Sequence, residues 1–201
     1  DQAVASGLFE ELYIATDHEA IYQEAISYGA KVKMTRSDHQ SGTDRCAEIA
    51  KLFPTMDFVV NIQGDEPRIA QNQLKTLVQA FHEPDVKIVT LKKKIKNSFE
   101  KDTPNVVKVV TDIYKNALYF SRSLIPFPRN QHEEVIYFKH IGLYGFERQT
   151  LLEITNLSPA RLELIESLEQ LRWLENGYPI RVLETHIESI AIDTPEDLKK
   201  L

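Results

Sequence analysis

Short β-rich runs and helical runs take turns along the first half of the chain, and this alternation constrains the fold more than any other feature. "ELYIATD" (11–17) is a compact strand ending in Thr-Asp, and "HEAIYQEAISYGA" carries apolar residues at helical spacing up to Gly29. "KVKMT" predicts a second strand. "SGTDRCAEIAKLF" predicts a helix entered through Ser41-Gly42-Thr43, with a hydroxyl cap and Asp44 at the positive end of the dipole. "DFVVNI", "QNQLKTLVQAF" and "VKIVTLKKKI" continue the pattern as strand, helix and strand. Such an order predicts an α/β fold, a mixed, mostly parallel sheet with helices on both faces.

The second half is more β-rich. "NVVKVVTD" and "NALYFSRS" predict a hairpin, and "EVIYFKHIGLYGF" a long strand interrupted by Gly142 and Gly145. "SPARLELIESLEQLRWLENG" reads as one helix capped by Ser158 and stopped at Gly177, with Leu164, Leu168, Leu171 and Leu174 as its apolar stripe. "PIRVLET" is a last strand, and "DTPEDLKKL" opens a final helix capped by Asp193 or Thr194. Length predicts a single domain over 1–201, with a small β-rich lobe around 113–146. "DQAVASGLF" reads like the last turn of a helix that starts before residue 1, so a preceding strand and loop are expected to be missing.

Composition narrows the partners. A net charge of −6, with 42% hydrophobic and 27% charged residues, fits a globular protein and argues against a nucleic-acid surface. No apolar run is long enough to span a bilayer. The single cysteine, Cys46, cannot form an internal disulfide; it is expected as core filling, in a cytoplasmic protein.

In open α/β sheets ligands bind beyond the carboxyl ends of strands, and both "NIQGDEP" and "SIAIDTPED" put an acid there. Asp65 and Asp193 are ordinary turn and cap residues if they stand apart. If they converge, they need a cation between them, and Mg²⁺ takes carboxylates together with substrate phosphates. The polar loop Arg36 to Thr43 offers backbone N–H groups to an anion or a base edge, without P-loop spacing. Arg122, Arg129, His140 and Tyr144 fall in the irregular half, where arginine suits bidentate capture of a carboxylate. Glu169 and Gln170 read equally well as an exposed helix face. Tyr119, Phe120, Phe138 and Phe146 read as core.

Taken in order, "TRSDHQSGTDR", "NIQGDEP", "ALYFSRSLIPFPR", "HIGLYGF", "LELIESLEQLRWLENG" and "IDTPEDL" resemble the 3-deoxy-manno-octulosonate cytidylyltransferases, or CMP-Kdo synthetases. The resemblance covers nearly the whole chain. It implies a Rossmann-like fold of the nucleotide-diphospho-sugar transferase type, a homodimer with 113–146 as its sugar-binding and dimer lobe, and CMP transfer from CTP to the sugar acid Kdo with Mg²⁺, activating Kdo for lipopolysaccharide synthesis. By matching motifs it implies Asp65 and Asp193 as catalytic metal ligands. It implies Gln63, Arg122, Arg129, His140, Tyr144, Glu169 and Gln170 around Kdo, and Arg36, Ser41, Gly42 and Thr43 beside the nucleotide. The family's opening strand and basic loop, of the form PARxxSxRxPxKPL, is not in this sequence.

The rival readings are a CMP-sialate synthetase-like or hexose-1-phosphate nucleotidyltransferase, a metal-dependent glycosyltransferase and a non-catalytic nucleotide-binding regulator. An Asp-x-Asp pair would favour the glycosyltransferase, but the segment here is Gly64-Asp65-Glu66.

Overall fold

A computed structural model describes residues 1–64, 69–130 and 135–187. The chain begins with α1 (Gln2–Ser6), β1 (Ile14–Thr16), α2 (Glu19–Ser27), β2 (Val32–Met34), α3 (Gly42–Ala50) and β3 (Phe58–Asn61). It continues through α4 (Gln71–Ala80), β4 (Ile88–Lys94), α5 (Ser98–Asp102), β5 (Lys108–Thr111), β6 (Ala117–Ser121) and β7 (Phe138–Glu147). The remaining described elements are α6 (Arg148–Ile154), α7 (Arg161–Glu166), α8 (Gln170–Glu175) and β8 (Arg181–Glu184). The final helix expected at "DTPEDLKKL" lies outside the described residues.

The strands form two sheets. β1 and β2 pair in parallel, while the larger sheet runs β6-β5-β7-β4-β8, with β3 also on β7. The α/β class and the mixed sheet hold, but most described pairings in the larger sheet are antiparallel rather than parallel. β7 runs antiparallel to β3, β4 and β5, and among the described residues only β4–β8 is a parallel pair there. The reason is connectivity: β7 enters after the β5–β6 hairpin and comes back through the middle of the sheet against β3 and β4. That hairpin extends the same sheet through the Lys108–Lys139 pairing.

Alternation along β7 sorts its two faces. Tyr144 and Phe146 point into a core with Ala47 and Ala50 of α3, Leu151 and Ile154 of α6, and Leu171 and Trp173 of α8. Leu143 points the other way, into a core with Leu74, Leu77 and Ala80 of α4. Helices therefore cover both faces. Gly145 shares the α4 side; a Cβ there would come within 2.9 Å of Phe81 Cε2 and Val89 Cγ1. Only a glycine lets α4 end so close to the sheet.

Helix α3 lies across both sheets. Its Arg45 pairs with Asp17 after β1 at 3.2 Å and donates to Thr35 after β2, while the carbonyl of Ala50 accepts from Arg148 Nε at 3.0 Å.

The single helix expected over 158–177 is two. Ser167 takes a left-handed conformation, φ 52°, and the chain turns between α7 and α8. Ala160, not Ser158, occupies the N-cap position of α7, and Glu163 reaches back to the Ala160 N–H at 3.0 Å. The break also splits the expected apolar stripe: Leu168 and Leu171 are buried, whereas Leu164 is 69% exposed. A Glu163–Arg172 pair (Nε to Oε2, 2.8 Å) and the Leu162 N–H bond to Glu175 Oε2 (2.7 Å) brace the corner.

Candidate active site

Four elements meet at the carboxyl end of β3. Asn61, the last residue of β3, is opposite Tyr144 in the β7 register, and Tyr144 is opposite Thr90 of β4. The N-terminus of α3 closes over them, so that a Cβ on Gly42 would be 3.6 Å from Asn61 Nδ2. The start of α8 is the fourth element.

The loop before α3 is built as its sequence predicts. Ser41 is the N-cap, its Oγ accepting the Asp44 N–H at 3.1 Å. The same hydroxyl donates to Glu169 Oε1 at 2.9 Å, and Thr43 Oγ1 donates to Glu169 Oε2 at 2.8 Å. Residues read as nucleotide-side and sugar-side are thus joined directly. Burial pushes the Glu169 carboxyl above its ordinary range, and the two hydroxyl donors work against that rise. Gln170, next in sequence, is buried.

His140 and Tyr144 sit under this junction. His140 Nε2 is 3.0 Å from Thr90 Oγ1, and that hydroxyl lies within hydrogen-bond reach of the carbonyls of Ile141 and Leu143. With its one proton given to a carbonyl, Thr90 accepts from His140, which assigns the neutral Nε2–H tautomer from the network. Although the ring keeps some contact with solvent, desolvation lowers its pKa to about 3. Tyr144 is only 6% exposed, its ring stands edge-on to Trp173 at 5.2 Å, and its hydroxyl has no hydrogen-bond partner among the described residues. Burial, with the nearby Glu169 charge, holds its pKa well above the usual phenol range. A buried unpaired hydroxyl costs stability, and a polar ligand group reaching it would recover that cost.

The other expected residues divide. Gln63 is exposed at the same strand end and donates weakly to the Gly142 carbonyl at 3.4 Å. Arg36 faces solvent and pairs with Asp38, two residues on, so it stands at the loop's outer side. Arg122 is tied into the α7 end. Its guanidinium donates to the carbonyls of Glu166 (2.7 Å), Pro104 (3.0 Å) and Ser167 (3.2 Å), closing the C-terminus of α7. Arg129 is exposed and free of partners among the described residues. Asp65 and Asp193 lie outside the described residues. Among those described, no cluster of three or more His, Cys, Asp or Glu side chains could hold a metal ion.

Comparison with known proteins decides the family. A cytidylyltransferase family model matches residues 1–190. The chain belongs to the cytidylyltransferase family. It is 53% identical to the 3-deoxy-manno-octulosonate cytidylyltransferase of Solibacter usitatus, over 94% of this chain and 75% of that one. It is 49% identical to the enzyme of the same name from Bacteroides thetaiotaomicron, over 96% and 81% respectively. A solved structure of CMP:2-keto-3-deoxy-manno-octonic acid synthetase complexed with CTP superposes with a TM-score of 0.89. It is 40% identical, covering 94% of this chain and 78% of that one.

Three buried polar or charged residues went unread in the sequence. Asn61 and Thr90 look like ordinary strand residues, and only strand register brings them beside Tyr144. Lys108 is the third: a lysine inside a strand, fully buried, whose Nζ donates to the carbonyls of Thr103 (2.8 Å), Val106 (2.8 Å) and Arg122 (2.7 Å). Cys46 is core-packed as expected, and burial pushes its thiol up to about 12, so it is no nucleophile.

Proposed function

We propose that the chain transfers CMP from CTP to the anomeric hydroxyl of 3-deoxy-D-manno-octulosonate, releasing pyrophosphate. The sugar oxygen forms a bond to the α-phosphorus as the bond to the pyrophosphate oxygen breaks. The 53% identity to a cytidylyltransferase of this sugar acid, over 94% of the chain, carries the reading. Chemistry of this kind depends on positioning and on charge stabilisation more than on covalent participation by the protein.

In this reading the start of α3 faces the nucleotide, with the free N–H groups of its first turn toward polar acceptors, while Arg36 flanks it. The sugar acid lies over Gln63, His140 and Tyr144, against Gln170. Neutral His140 and the unpaired Tyr144 hydroxyl suit neutral sugar hydroxyls. Arg129 takes the carboxylate, because Arg122 has spent three of its donors on carbonyls. Mg²⁺ belongs to the proposal, with Asp65 and Asp193 as its ligands; hard carboxylate oxygens suit it, and it would neutralise phosphate charge. The protein works in the cytoplasm, in keeping with its single unpaired cysteine; no helix among the described residues is long and apolar enough to cross a membrane. It works as a homodimer. In support, β6 and α7, tied by the Ser121–Glu166 hydrogen bond, leave Leu118, Leu164 and Ile165 63–69% exposed.

A substrate panel tests the proposal. With CTP and Mg²⁺, pyrophosphate release is expected with Kdo and not with a sialic acid, and Asp65→Asn is expected to abolish it without unfolding the protein. Equal turnover of the sialic acid, or full activity of Asp65→Asn, overturns the reading or the metal assignment respectively.

A further inference from the structure

We infer that Glu169 is a positioning residue, whose carboxylate tethers the Ser41–Thr43 turn from the α7–α8 corner and so holds the start of α3 in place for the nucleotide. The inference rests on the reading of α3 as the nucleotide side. It adds a second role to the one implied by resemblance, in which Glu169 contacts the sugar acid.

Both carboxylate oxygens are engaged by the protein itself: Oε1 accepts from Ser41 and Oε2 from Thr43. The two donors lie one residue apart on the same turn, and neither hydroxyl proton is left over for a ligand. Ser41 Oγ uses its lone pairs on the Asp44 N–H, so the Glu169 bond also orients the cap that starts the helix. Charge-assisted bonds of this kind are stronger than neutral ones and fix direction. The base of the tether is stiff as well. The Glu163–Arg172 pair spans the corner, Arg172 N–H donates to the Glu169 carbonyl at 2.9 Å, and the Arg122 guanidinium closes the end of α7 through the carbonyls of Glu166 and Ser167. A continuous set of hydrogen bonds therefore runs from the β6 end, through the corner, to the α3 cap. A side chain that places backbone donors from such a base acts through them.

The test uses Glu169→Gln and Thr43→Val, singly and combined, with two readouts on the whole protein. Amide hydrogen exchange over residues 41–45, without any ligand, reports the tether alone. Titration with CTP alone, without sugar acid, reports its consequence. Expected are faster exchange in both single variants, and CTP affinity weakened about tenfold in each and no more than that in the double variant, because the two changes break one interaction. Unchanged exchange in Glu169→Gln overturns the tether. So does a variant that keeps its CTP affinity and exchange but shows a raised KM for the sugar acid, which would make Glu169 a ligand. Faster exchange with unaltered CTP affinity leaves the tether standing and overturns its role in nucleotide binding, and with it the reading of α3.

Discussion

Replacing Gly145 by alanine tests whether the strand carrying Tyr144 is as tightly backed as the geometry indicates. The new Cβ would sit 2.9 Å from Phe81 Cε2, 3.1 Å from Phe81 Cζ and 2.9 Å from Val89 Cγ1. Neither neighbour can step aside easily. Phe81 is stacked on Phe58 with ring centroids 4.2 Å apart, and Val89 is fully buried on β4 beside Gly145 in the ladder. Overpacking of this sort costs about 1–3 kcal/mol. For a chain of this length each kcal/mol lowers Tm by roughly 2–4 °C, so a loss near 2 kcal/mol corresponds to ~4–8 °C. Urea unfolding followed by far-UV circular dichroism measures it. A second variant, Gly145→Ala with Phe81→Leu, removes two of the three close contacts and should show favourable coupling of about 0.5 kcal/mol or more between the sites. A Gly145→Ala protein as stable as the parent would refute the close approach of α4 to the sheet.

Two further outcomes follow from buried titratable groups. His140 has a folded pKa of about 3, below the unfolded value near 6.5, so the fold prefers the neutral ring. Between those values the unfolded chain binds the extra proton; stability is fully present above pH ~6.5 and is lost as pH falls toward 3, by at most ~1.4 kcal/mol per pH unit. Residual solvent contact makes that slope a ceiling. Unfolding curves of the parent and His140→Gln at pH 7 and pH 5 should diverge accordingly, and equal pH dependence contradicts the assignment. Lys108→Met should cost about 3 kcal/mol in a urea titration, because three carbonyls lose their donor in a site closed to water. A loss below ~1 kcal/mol would mean that water or a rearranged loop replaces it.

The elements were largely legible because their signals are local. Ser41-Gly42-Thr43-Asp44 states a helix start in four residues, and "DFVVNI" and "PIRVLET" are bounded by turn residues. What escaped depends on distant partners. Nothing between Ser158 and Gly177 marks a break at Ser167, since Arg122 closes that end of α7 from another part of the fold. The same bonds explain why Arg122, legible as a carboxylate ligand by residue type, is occupied elsewhere. Ser41, Thr43 and Glu169 were each named as site residues, but no spacing could announce a bond across 128 positions. The direction of β7 was likewise hidden: alternation shows that a strand has two faces, not which way its neighbours run.

Helix α3 ties β1–β2 to the larger sheet, through its Arg45 contacts at one side and its packing on the large sheet at the other. A displacement of the small sheet is then felt first as a tilt of this beam, whose N-terminal tip is where Gly42 meets Asn61.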